Sequence, residues 1–165
     1  MLLLDRVVVP LRVLLALLFA GLLVGQLLSV PGQFSDFAES EPGLQPMRVP
    51  LLVFVLLELV AMQIVIVCIW RLLGLVRADR IFSEHAFVWV DAIVWTMVAA
   101  WVLLVVVFGT VIGIIYFTPA LRDPGTPMLL AGVGLVGGVV VLLMTVMRAL
   151  LRQAAALRTD LESVI

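Results

Sequence analysis

Few side chains in this sequence could do chemistry, and their types narrow the options quickly. Glu58 and Asp91 lie inside apolar runs, and Gln63 follows Glu58 by five residues. A carboxylate among hydrocarbon is costly, so Glu58 must face protein, water or a partner, or hold a proton. Two readings follow: a proton or cation site, or a protonated or hydrogen-bonded contact with Gln63 or Thr110. Asp91 follows Glu84 by seven residues, on the same helix face, with Arg12, Arg71 and Arg77 expected at similar depth. Its two readings are a salt-bridge cluster locking the inner ends of the first three helices, or a ligand site. His85 is the only histidine and Cys68 the only cysteine, so a metal centre lacks ligands. There is no GxSxG turn and no glycine-rich phosphate loop after a strand. No catalytic residue and no cofactor are expected, and the chain reads as non-enzymatic.

The elements that must position these groups are set by composition. Of 165 residues, 65% are hydrophobic and 13% charged, and the mean hydropathy is +1.32. A soluble domain is nearer half apolar and a quarter charged. A chain this short has too much exterior to hide that apolar surface from water, so its solvent must be lipid. The net charge of -1 provides no global basic field, and direct nucleic-acid binding is not expected.

Four apolar runs are long enough to cross a bilayer: about 8–30, 51–70, 91–117 and 128–147. The first is read as an uncleaved helix, since its apolar core is longer than that of a signal peptide. Residues 31–49, with Pro31, Gly32, Pro42, Gly43 and Pro46, read as a polar, turn-rich link. Pro50 suits the first turn of the second helix. Residues 71–90 form a connector ending in an interfacial helix start, with Ser83 as N-cap and Glu84 favourable to the helix dipole. Thr126-Pro127 opens the fourth helix. Beyond Arg148, the residues Leu150, Ala154, Leu157, Leu161 and Val164 keep a 4-3-4-3 spacing, so 148–165 reads as an amphipathic helix continuing the fourth. Two heptads are too short to be stable alone, and this tail needs something to pack on.

All ten basic residues are arginine, and their placement sets the orientation. Arg6, Arg12, Arg71, Arg77, Arg80, Arg148, Arg152 and Arg158 fall on one side, and Arg48 and Arg122 on the other. Both termini and the connector are therefore expected in the cytoplasm, with 31–49 outside. Trp70 and Trp89 at the inner boundary and Tyr116 at the outer agree with an aromatic belt. The expected fold is all-α: a four-helix transmembrane bundle, multi-pass in a bacterial cytoplasmic membrane. GxxxG spacings at Gly21–Gly25, Gly109–Gly113 and Gly134–Gly138 allow close helix approach, either within the bundle or between copies of the chain in a homo-oligomer.

The connector Leu75-Val-Arg-Ala-Asp-Arg-Ile-Phe-Ser-Glu84 and the ending Leu157-Arg-Thr-Asp-Leu-Glu-Ser-Val-Ile165 resemble those of one bacterial family. It is the integral-membrane domain-of-unknown-function 2975 family, in its actinobacterial form. The resemblance implies a four-helix membrane protein with no established activity and no catalytic residues to carry over. Some relatives are encoded beside a small helix-turn-helix regulator, which implies a membrane-bound control element.

The leading expectation is a regulatory or adaptor subunit that binds a cytoplasmic protein, with Arg77, Arg80, Glu84, Arg152, Leu157 and Leu161 as the contact residues. The tail could instead pack on the third helix or lie on anionic lipid. The alternatives are a transporter or channel component, with Glu58, Gln63 and Thr110 along one path, and an accessory subunit of a larger membrane complex.

Overall fold

A computed structural model of the chain describes residues 2–40, 45–77, 84–117 and 124–162. All regular structure among them is helical. Helix α1 spans Leu2–Val24 and passes through a π-helical turn, Gly25–Ser29, into α2, Val30–Ser40. Helix α3 spans Gln45–Arg77, α4 Glu84–Phe117 and α5 Gly125–Glu162. The chain divides into two compact units, Met1–Ile81 and Phe82–Ile165. In the first, α3 packs against α1 and α2; in the second, α4 packs against α5. Each unit is thus a helical hairpin.

Four segments are long and apolar enough to cross a membrane: Val8–Asp36, Met47–Val76, Ala86–Phe117 and Gly125–Leu157. At 1.5 Å rise, even the 29 residues of the first cover roughly 44 Å, well beyond the ~30 Å hydrocarbon layer. Their ends therefore reach the headgroup region. The burial pattern is that of helices solvated by lipid. Leu27 is 75% exposed, Leu135 73% and Phe117 83%, whereas the buried apolar positions are Val8, Leu15, Ile66, Cys68, Ala86 and Val94. Several hydroxyls in the spans bond to carbonyls of their own helix. Thr96 donates to the Ala92 carbonyl at 2.7 Å and Thr145 to that of Val141 at 2.8 Å, which removes the need for water in an apolar layer.

The structure differs from the sequence reading at the first and second runs. Pro31 and Gly32 do not end the first helix, which continues to Ser40. Proline lacks an N–H, and its ring crowds the carbonyl four residues back, here Leu27. The π turn widens the backbone at that point: the Val30 N–H bonds to the Gly25 carbonyl, one residue further back than in an α-helix. Pro31 is accommodated and the helix goes on. The second run is also longer than 51–70. It begins at Gln45, with Pro46 in its first turn and Pro50 inside, and continues past Arg71 to Arg77. The third run matches its expected limit at Phe117, and the fourth is one unbroken helix to Glu162. Arg80 and the N-cap Ser83 lie outside the described residues, as do the side chains of Arg77, Glu84, His85 and Leu161.

Candidate functional site

Each hairpin carries polar groups at two levels of its apolar length. In the second, Asp91 sits in the second turn of α4 and faces α5. Its Oδ1 accepts a hydrogen bond from Arg148 Nε at 2.5 Å, and its Oδ2 accepts one from Arg152 Nη2 at 2.5 Å. The two arginines are one helical turn apart, so both guanidinium groups reach the same carboxylate. Arg148 and Asp91 are mostly covered, at 21% and 26% side-chain exposure, and Arg152 is half exposed. Arg12, Arg71 and Arg77, expected around Asp91, belong to the other hairpin. Within its own hairpin, the packing of α4 against α5 brings position 91 opposite 148–152. Arg152, read as a partner contact, is drawn onto Asp91.

Ten residues deeper, Trp101 donates from its indole Nε1 to the Gly134 carbonyl at 2.9 Å. The ring lies against Gly137 and Gly138. A methyl group built on Gly137 would stand 3.0 Å from Trp101 Cδ1, and one on Gly138 3.2 Å from Cζ2. A side chain at either position would press on the indole, which would have to give by a few tenths of an ångström. The Gly134–Gly138 spacing therefore serves packing within the hairpin. Methyl groups on Gly21, Gly25, Gly109 or Gly113 would meet open space.

The first hairpin holds its polar groups differently. Gln63 Nε2 on α3 donates to Gln26 Oε1 in the π turn at 2.8 Å. Gln63 is thus bonded to Gln26, whereas the sequence offered it as one of two candidate contacts for Glu58. Thr110, the other expected neighbour of Glu58, gives its hydroxyl to the Val106 carbonyl of its own helix. Glu58 Oε1, Gln26 Nε2 and Arg12 Nε are all buried without a hydrogen-bond partner. Toward the Arg12 end, a slot of about 390 Å³ opens between α1 and α3, lined by Ala16, Phe19, Ile66, Val67, Trp70 and Arg71. Cys68, next to this wall, is a buried free thiol. Among the described residues, no group of histidine, cysteine, aspartate and glutamate could hold a metal ion.

A family model described as Protein of unknown function (DUF2975) matches residues 32–165. The chain belongs to this family. Within it, the Asp91–Arg148–Arg152 clamp, the Trp101 seat and Glu58 all lie in the matched region, while α1, with Arg12 and Gln26 on the chain before residue 32, lies before it. No curated protein and no solved structure matches the chain.

Gln26, Trp101 and Arg148 were not among the expected site residues. Gln26 was missed because ending the first helix at residue 30 put it near the outer end, far from the depth of Gln63. Arg148 could have been found by hairpin arithmetic, since 91 lies 26 residues before Phe117 at the end of α4 and 148–152 lie 23–27 residues after Gly125 at the start of α5.

Proposed function

We propose that this is a non-enzymatic regulatory or adaptor subunit of a bacterial cytoplasmic membrane, with both termini inside. It docks a soluble protein on the end of α5. One observation carries this reading: Leu150 and Leu157 are 54% and 60% exposed on the apolar stripe of α5, while the same stretch is anchored through Arg148 and Arg152. A rigidly held helix with an uncovered apolar face suits a helix-in-groove contact. Arg77, Arg80 and Glu84 of the connector and Leu161 extend the proposed surface, and a small helix-turn-helix regulator is the expected partner.

The test is a mild-detergent pull-down from the native host, comparing the full chain with one ending at Gln153. That end point keeps both arginines on Asp91, so the hairpin stays closed while the stripe is cut. A helix-turn-helix protein recovered with the full chain and lost with the shorter one supports docking. Equal recovery with both assigns the tail a structural role and overturns the proposal.

A second reading rests on the buried, unpartnered Glu58 Oε1. An acid placed so within an apolar span suits a proton or cation site in a transporter or channel component. Glu58→Gln should then abolish flux in proteoliposomes, and unchanged flux would remove Glu58 from any path.

A further inference from the structure

The slot between α1 and α3 combines two features seldom found together by chance. Its lining is apolar apart from Arg71 and the rim indole of Trp70, and Arg12 lies one helical turn before Ala16 on α1. On α1, Arg12 precedes Ala16 by one helical turn and Phe19 by about two, so roughly 10 Å of apolar wall runs inward from the guanidinium. On α3, Ile66 and Val67 lie deeper than Trp70 and Arg71. The Arg12 guanidinium lies beside Gly74: a methyl there would stand 3.6 Å from Nη2, in ordinary van der Waals contact. Arg12 Nε is buried and unpartnered, and no carboxylate among the described residues pairs with Arg12.

We propose that this slot binds one anionic phospholipid, with its phosphate on Arg12 and Arg71 and an acyl chain along Ala16, Phe19 and Ile66. Three arguments choose this occupant. The volume of about 390 Å³ lies in the range of ligand sites, ~300–1,000 Å³. Arginine pairs its planar fork with phosphate oxygens, and basic pockets between membrane helices suit anionic headgroups. Trp70, 39% exposed beside Arg71, sits as an indole does at the headgroup level. A soluble anion would use the arginines and leave the apolar wall empty. A zwitterionic lipid would bring its own cation toward Arg12, whose Nε is the donor left without a partner. The site involves none of the α5 surface, so it stands or falls separately from docking.

The experiment is native mass spectrometry of the full chain in detergent with equimolar dioleoyl phosphatidylglycerol and dioleoyl phosphatidylcholine. Phosphatidylglycerol should be retained about fivefold or more over phosphatidylcholine. The preference should vanish in the double variant Arg12→Gln, Arg71→Gln. Ala16→Phe, which fills the slot and leaves both charges, should also cut phosphatidylglycerol retention. If the arginine variant fails to fold, Gly74→Leu displaces the Arg12 guanidinium without removing its charge and should lower retention as well. Equal retention of the two lipids overturns the proposal. So does full displacement by millimolar inorganic phosphate together with indifference to Ala16→Phe, which would reduce the slot to a surface anion site.

Discussion

The two hairpins solve the same problem with different chemistry. Both must hold antiparallel helices together where lipid removes most of the hydrophobic drive for association. The α4–α5 hairpin uses a carboxylate shared by two guanidinium groups near one end and an indole seated on bare helix backbone further in. The hairpin of α1, α2 and α3 uses one neutral amide pair, Gln26 with Gln63, and leaves Arg12 Nε, Gln26 Nε2 and Glu58 Oε1 buried without partners. Among the described residues, the α4–α5 hairpin leaves no buried side-chain nitrogen or oxygen without a partner. A hairpin with spare donors and acceptors and a slot beside them has the character of a binding element. Buried polar groups left unmatched are destabilising, which is the ground for the ligand and proton readings proposed for the first hairpin.

That contrast can be broken most readily at Asp91. Asp91→Ala strands two arginines and should destabilise the α4–α5 hairpin by about 1–3 kcal/mol, between the worth of an exposed and a buried pair. Hydrogen exchange resolved by segment should show faster opening in α4 and α5 and none in α1–α3. A change in both hairpins, or in neither, would remove the clamp as the local lock. Next comes the indole seat. Gly137→Leu should cost about 1–3 kcal/mol through overpacking against Trp101. The same change at Gly113, which faces open space, should stay within about 0.5 kcal/mol by thermal melting in detergent. Similar losses at both positions would mean that glycine is needed there for some reason other than the indole. The smallest effect belongs to the first hairpin. Gln63→Leu removes one neutral bond and should cost about 0.6 kcal/mol, the usual worth of such a contact between membrane helices. A loss as large as that of Asp91→Ala would show that the amide pair is a lock of equal rank.

How much of this was legible beforehand differs by feature. Four membrane-length helices followed from hydropathy, because in lipid every backbone group must bond within its own helix and the apolar run itself marks the element. The end of the third helix at Phe117 followed too. The path of the chain through Pro31 did not, since proline normally signals a stop, and only the widened turn at Gly25–Ser29 lets the helix pass. From that one misplaced boundary came the missed pairing of Gln26 with Gln63. Glu58 and Asp91 stood out as costly residues in apolar runs, but their surroundings did not. Carboxylate partners depend on which helix faces which, and an apolar helix with little amphipathic bias does not declare its face.

By itself, then, the sequence determined the solvent, the number of membrane-length helices and the rarity of polar groups within them, because those depend only on composition and length along one chain. Tertiary structure alone decided that Asp91 belongs to Arg148 and Arg152, that Trp101 lies against Gly137 and Gly138, and that Arg12 lies beside Gly74 near a slot. Each of these joins residues far apart in the chain, and their meeting is fixed by helix rotation and register, which steric fit between two surfaces sets and a one-dimensional pattern does not contain.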